Sequence, residues 1–495
     1  MFSMAARHPD AVAILDGDKT ISYRLLCRGV CLTAKRFREA GWQAGDVAGV
    51  SLQSSPTLHV VASMALARSA ITQVSMPAGD PAPLLQARVK KLGIRGLVSD
   101  HTAFDALRLG TVPMEADCLS DSSGATAADF RVPGDEGIWI ISETSGTTAE
   151  PKLIGVSHRV EETHSMRLAP VFGHLPGERF LTLTNMRFLT GMKRAIRCLS
   201  EGGTLALPPS SLSAGQLLRW IDVHHVTYIN CVPLHLFRLL RDAPGDFRGL
   251  PSVRILRCGT AALPVTTLDE VRRRISPNVF IDYGANEVGA MVAATPDMLA
   301  VHPGTVGKAL QGVELEIVDD AHQPLPAGES GRIRVRTAGV PFSYLHGGAP
   351  EQAGLVRDNW FYPGDIGVMN GDGLVFVKGR ADDVMNFDGI LVGPAEIESV
   401  LLQHPAVAEA AAFPLPSLEH QDVPAAAIVG RGPLQMNELA RFCVERLGAR
   451  APQVFIQIEE IPKNPMGKIL RGRLTELALA NLHNASNGPG RAAKS

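Results

Sequence analysis

The stretch Ile138-Trp-Ile-Ile-Ser-Glu-Thr-Ser-Gly-Thr-Thr-Ala-Glu-Pro-Lys152 poses the first question about this chain. Its apolar start, Ile138 to Ile141, reads as a buried strand. A run of small and hydroxyl-bearing residues follows, closed by Pro151 and Lys152. Small side chains let backbone N–H groups converge on an anion, and a lysine adds charge. The competing reading of the loop alone is a solvated turn.

Outward from this loop the chain alternates strand and helix. On the N-terminal side, Tyr23 to Ala40 and Thr57 to Ala67 read as helices, Asp46 to Leu52 and Ile71 to Val74 as strands. On the C-terminal side the strands are Phe180 to Thr184, Thr204 to Leu207, Val226 to Ile229, Val253 to Leu256 and Val279 to Asp282. Helices are expected near Thr190 to Ser200 and Pro233 to Arg241. That rhythm predicts parallel sheet covered by helices. From about Gly304, Gly and Pro turns separate short alternating runs such as Val313 to Val318 and Gly331 to Arg336, the pattern of antiparallel hairpins. After about Asp382 a small α+β unit is expected, with helices at Ala395 to Gln403, Met436 to Leu447 and Ile469 to Leu482. The expected fold is therefore α/β. A large N-terminal domain, residues 1–381, has mainly parallel sheets, covering helices and an antiparallel β subdomain. A small mobile α+β domain spans 382–483, and residues 484–495 form a polar, disordered tail.

Composition narrows the function. With 495 residues the chain is too long for one core, and a net charge of −2 gives no field toward nucleic acid or a lipid surface. No run of 18 apolar residues is present, so no membrane span is expected, and the N-terminus lacks a signal-peptide core. Seven cysteines, an odd number, read as reduced thiols of a cytoplasmic protein.

Four further loops could carry chemistry. Asp282-Tyr-Gly-Ala-Asn-Glu-Val-Gly289 follows a parallel strand, where ligand crevices form. Trp360-Phe-Tyr-Pro-Gly-Asp365 places a carboxylate on a tight turn. Gly379-Arg-Ala-Asp-Asp383 lies where the texture changes, and Asn464-Pro-Met-Gly-Lys-Ile-Leu-Arg471 puts a lysine before the last helix. In this order, with TSGTTAEPK, these stretches resemble the motifs of the AMP-forming adenylating superfamily. It includes acyl- and aryl-CoA synthetases, nonribosomal peptide synthetase adenylation domains and firefly-luciferase-type enzymes. The likeness spans about Ser22 to Arg471.

The resemblance implies an ATP-dependent, Mg²⁺-assisted ligase that joins a fatty or aromatic carboxylic acid to AMP and releases pyrophosphate. The acyl group then passes to the thiol of coenzyme A or of a carrier protein's phosphopantetheine. It implies that Thr144, Ser145, Gly146, Thr147, Thr148 and Lys152 cradle phosphates, with Thr148 among the catalytic groups. Tyr283 would stack on adenine beside Gly259, Thr260, Gly284 and Asn286. Glu287 would hold Mg²⁺, Asp365 and Arg380 the ribose, and Lys468 would bridge the carboxylate and the α-phosphate. Asp382 would be the hinge about which the small domain turns, bringing Gly389 to the thiol tunnel. Phe188, Leu189, Gly191, Met192 and Cys258 would wall a mostly apolar acid pocket. No aspartate near Leu189 is available for an α-amine, which disfavours amino acids. Lys193, Arg194 and Arg197 read as a solvated helix face opposite Met192, Ala195 and Leu199. Ala149, Asn286 and Pro363 stand where the family motifs carry Gly, Thr and Thr. They motivate a rival, a catalytically impaired nucleotide-binding homologue. A stand-alone enzyme loading a separate carrier protein is the other.

Overall fold

The computed structural model describes every residue except 53–54, 102–103, 105–106, 108, 120–136, 144–152, 176, 338–342, 345–354, 388–389, 418–420, 465–466 and 487–495. Two large sheets, each with a parallel core, dominate the chain. The first has nine strands. Its centre is the parallel series Val279–Ala285, Ile255–Gly259, Tyr228–Cys231, Arg179–Thr182, Thr204–Leu207 and Val12–Asp16. Antiparallel strands close both edges: Gly289–Ala294 and Lys308–Ala309 on one side, Lys19–Ser22 on the other. The second sheet has seven strands with a parallel core of Ile138–Glu143, Thr72–Ser75, Val47–Ser51, Ile94–Ser99 and Gly110–Pro113.

The strand Leu153–Ser157 pairs antiparallel with Ile138–Glu143. The TSGTTAEPK segment therefore joins the two arms of a hairpin; its own residues, 144–152, lie outside the described residues. Local chemistry places the helices. Ser22 caps Tyr23–Glu39, Ser55 caps Pro56–Arg68 and Ser157 caps His158–Phe172, each hydroxyl accepting a backbone N–H from the first turn. Pro56–Arg68 is buried at nearly every position because it lies between layers, with Val60, Val61, Ala62 and Ala65 fully enclosed.

A six-stranded antiparallel sheet follows, built around Ser330–Thr337 with Val313–Val318 and Asp365–Met369 beside it. The last sheet has five strands. Val407–Ser417 and Gln421–Gly430 form its long hairpin, and Val454–Gln457 adds a parallel strand. Helices Pro394–Leu401, Met436–Leu447 and Arg471–Ser486 cover it, around a core of its own that includes Ile397, Leu401, Ile428 and Leu439. Among the described residues no helix is long and apolar enough to cross a membrane.

One expectation is overturned. On the helix Leu189–Ser200, Arg194 and Arg197 are each only 9% exposed. Arg194 is drawn inward by Asp282, Arg197 is bonded to Glu201, and Lys193 pairs with Glu161 at 3.4 Å. A periodicity argument ranks side chains by polarity. It cannot see a buried carboxylate on a neighbouring strand.

Candidate active site

Three segments far apart in sequence meet at the C-terminal end of Val279–Ala285. The strand delivers Tyr283, whose hydroxyl donates to Asp365 Oδ2. Asp365 opens the strand Asp365–Met369 and pairs in register with Arg380 on the neighbouring strand Val375–Arg380. Arg380 Nη1 reaches Asp365 Oδ1 at 3.5 Å and also donates to the Pro363 carbonyl. A proline at 363 thus still serves through its carbonyl. Burial raises the Asp365 pKa, against the Tyr283 hydroxyl, Arg380 and Lys468, which all lower it. Burial, and then Asp365, pushes the Tyr283 phenol well up, so it stays a donor.

Lys468 comes from the small α+β unit. Its turn is closed by Asn464, whose Oδ1 accepts the Lys468 N–H at 2.9 Å. Burial lowers the Lys468 pKa; Arg380 lowers it further, while Asp383 and Asp365 oppose the shift. The preceding Gly467 lies against the large domain: a Cβ there would sit 3.1 Å from Leu234 Cβ. Ala381 N donates to the Gly364 carbonyl at 2.8 Å, which ties the Ala381–Asp383 turn to the Asp365 loop. Asp382 is in that turn. Gly389, like Thr144, Ser145, Gly146, Thr147, Thr148 and Lys152, lies outside the described residues.

The hairpin after Tyr283 holds Asn286 and Glu287, both half-buried. Its two arms approach so closely at Gly284 that a Cβ would lie 2.3 Å from the Gly289 carbonyl oxygen, so only glycine fits. Arg167, which the sequence reading missed, fixes this hairpin from the helix His158–Phe172. Its Nη1 donates to the Val288 and Ala290 carbonyls at 2.8 and 3.2 Å. Thr260, beside Gly259 on the rim, has φ of +72°, a conformation costly for a β-branched residue and characteristic of functional loops. Glu287 is a single carboxylate. Among the described residues no cluster of three or more His, Cys, Asp or Glu could hold a metal. One carboxylate fits Mg²⁺, which takes few protein ligands when phosphate oxygens complete its shell.

The arrangement gathers a stacking ring, a hydroxyl-gripping carboxylate, an arginine and a partly desolvated lysine. That set suits a nucleotide whose α-phosphate lies near the lysine. The family models of the AMP-binding enzyme and of the AMP-binding enzyme C-terminal domain match residues 2–345 and 396–468.

The chain belongs to the AMP-binding enzyme family. It is 27% identical over 479 residues to a 2-succinylbenzoate–CoA ligase of Bacillus licheniformis, covering 94% of this chain and 97% of that one. A 4-coumarate–CoA ligase-like protein of Oryza sativa is 26% identical, covering 95% and 91%. The O-succinylbenzoate coenzyme A synthetase of Bacillus subtilis, solved with ATP and magnesium ion, superposes with a TM-score of 0.85 at 25% identity. That match covers 96% of this chain and 98% of that one.

Within this AMP-binding enzyme the expected acid-pocket residues are enclosed. Leu189 and Met192 pack in the large core, and Gly191 is buried behind the half-buried Phe188. Cys258 and Cys231 turn to the other face of the sheet, into the core with Leu236 and Leu268, so their thiols do not face the Leu189–Ser200 helix. Facing that helix instead is a charged group absent from the sequence reading. Arg257 donates to both Asp282 oxygens at 2.8 Å, and Arg194 Nη2 reaches Asp282 Oδ2 at 3.2 Å. Burial favours a neutral Asp282, but Arg257 and Arg194 hold its pKa down to about 2. An arginine in a buried parallel strand, two residues before Gly259, was the available signal.

A cavity of about 770 Å³ opens next to these elements. Among the described residues its wall includes Ser51, Met76, Asn185, Arg187, His235 and Arg238, and no acidic side chain. It does not include Tyr283 or Asp365.

Proposed function

We propose that this chain is an AMP-forming acid–thiol ligase. It activates a carboxylic acid with ATP, releasing pyrophosphate, and transfers the acyl group to the thiol of coenzyme A. The observation that carries this reading is the convergence of Tyr283, Asp365 and Arg380 of the large domain with Lys468 of the small one. In the first step the substrate carboxylate attacks the α-phosphate and pyrophosphate leaves. Lys468 neutralises charge that builds on the phosphate oxygens, Tyr283 stacks on the base, and Asp365 and Arg380 fix the ribose. Asp365 then exchanges the Tyr283 hydroxyl for those of the sugar. Glu287 would hold the Mg²⁺ that offsets phosphate charge, and the 144–152 segment the departing phosphates.

The second step is the reading for the domain division between residues 381 and 382: the small domain turns about Asp382 and withdraws Lys468. Coenzyme A is favoured as acceptor over a carrier protein by the wall of the large cavity. Arg187 and Arg238 form no ion pair among the described residues, and no acid opposes them, which suits the acceptor's phosphates. The helix start that Gly467 touches, at Val232 and Leu234, carries His235 and Arg238 of that wall.

The test is ATP-dependent pyrophosphate release with pools of fatty acids, benzoates, cinnamates and amino acids, then addition of coenzyme A. Release with one pool, followed by AMP and thioester in equal amounts, supports the reading. Release without thioester shifts the acceptor to a carrier protein. Silence with every pool, while ATP still binds, supports the impaired homologue instead.

A further inference from the structure

The face of the nine-stranded sheet that meets the Leu189–Ser200 helix is polar where an acid tail would lie. Strand register sets Asn230 opposite both Thr182 and Arg257, and Gly259 opposite Asp282. Residues directly opposite on neighbouring strands share a face, so Thr182, Asn230, Arg257 and Asp282 form one strip. Gly259 belongs to it as well: a Cβ there would lie 2.7 Å from Oδ1 of Asp282, the residue that precedes Tyr283 on its strand. Arg194 closes the strip from the helix side.

Two features of this strip call for a ligand. The first is charge. Arg257 and Arg194 are two cations against one Asp282 anion, with side chains only 2%, 11% and 8% exposed. Lys193 is already matched by Glu161. A net positive charge is thus left in a site shielded from water, where an unmatched ion is costly. The second is unmet hydrogen bonding. Arg194 Nε, on a residue 9% exposed, has no partner, and neither has Asn230 Oδ1, on a residue with no exposure. A purely hydrocarbon tail would seal both groups off unbonded.

Resting on the ligase reading above, we propose that the acid this chain activates carries a second anionic group, a carboxylate remote from the reacting one, held by Arg194. Arg257 and Asp282 orient Arg194, and Asn230 supplies the acceptor for a hydroxyl or water beside that carboxylate. The pocket expected to be apolar is then a reader of dicarboxylic acids, and fatty acids are rejected by the unpaired charge they would bury.

The experiment compares matched acids on the full-length enzyme by pyrophosphate release: adipate with hexanoate, and 2-succinylbenzoate with 4-oxo-4-phenylbutanoate. The wild type is expected to favour the dicarboxylate of at least one pair by about tenfold or more in kcat/KM. Arg194→Met is expected to collapse that ratio to within about threefold, chiefly through KM of the dicarboxylate, with Arg194→Lys intermediate. ATP binding by each variant shows that it has folded, and if Arg194→Met has not, the wild-type and Arg194→Lys ratios decide. Equal or better use of the monocarboxylates overturns the inference and leaves the ligase reading standing. A dicarboxylate preference that a folded Arg194→Met retains overturns the assignment to Arg194. No pyrophosphate with any acid overturns both.

Discussion

Lys468 must be charged to meet the phosphate, and its surroundings make that charge easier to lose. Burial and the nearby Arg380 lower its pKa more than Asp383 and Asp365 raise it. Adenylation should therefore fail on the alkaline side at a pH below about 10.4, the ordinary lysine value. A profile of kcat/KM for ATP, which reports the free enzyme, checks this; a limb at or above the ordinary value would remove the assignment. Gly284 makes a second prediction at this scale. A Cβ at that position meets backbone on the facing arm of the hairpin, 2.3 Å from Gly289 O and 2.7 Å from Ala290 Cα. Gly284→Ala should cost about 1–3 kcal/mol in urea unfolding and displace Glu287 and Tyr283. The glycine itself was legible in the Tyr283-Gly-Ala-Asn-Glu287 motif. Its reason, a close approach of two arms, needed the antiparallel partner Gly289–Ala294, which is visible only once the sheet is paired.

The cross-strand unit of Arg257 and Asp282 acts between elements. It joins the strands Ile255–Gly259 and Val279–Ala285 and reaches the Leu189–Ser200 helix through Arg194. Removing one partner strands a buried charge, so Arg257→Met should destabilise by about 3–5 kcal/mol. Asp282 has a folded pKa of about 2, below its unfolded value of about 3.9. Its contribution is full above the unfolded value and is lost as pH falls toward the folded one. The difference in urea stability between wild type and Arg257→Met should accordingly shrink from pH 5 to pH 2, and a difference independent of pH would contradict the pairing. Helices with periodic apolar residues and serine caps, such as Tyr23–Glu39, were legible almost to the residue. The solvated-face reading of Arg194 failed because polarity patterns report a residue's own chemistry and not the carboxylate waiting across the layer. Likewise, the direction of Cys258 depends on which face of the strand meets which helix, and only strand order and register decide that.

At the scale of the whole molecule, the nine-stranded sheet, the antiparallel sheet and the small α+β unit meet at one site. The sequence order of motifs carried most of this, because each motif sits at a strand end or in a loop that the sheets bring together. It did not reveal the hairpin Ile138–Glu143 with Leu153–Ser157, since a glycine- and threonine-rich loop is equally compatible with a following helix. The turn Ala381–Asp383 is where the small unit is proposed to swing. Asp382→Pro, which fixes one backbone torsion, should keep pyrophosphate release within a few-fold while slowing thioester formation by about tenfold or more; equal slowing of both steps would remove the hinge assignment. The central claim is that Lys468, delivered by the small unit, completes a nucleotide site whose other members belong to the large domain. It is tested most directly by measuring single-turnover adenylate formation and ATP affinity side by side for Lys468→Ala. The account predicts a loss of about 10²-fold or more in adenylate formation with ATP affinity within a few-fold of wild type. Adenylate formed at the wild-type rate by that variant would contradict it.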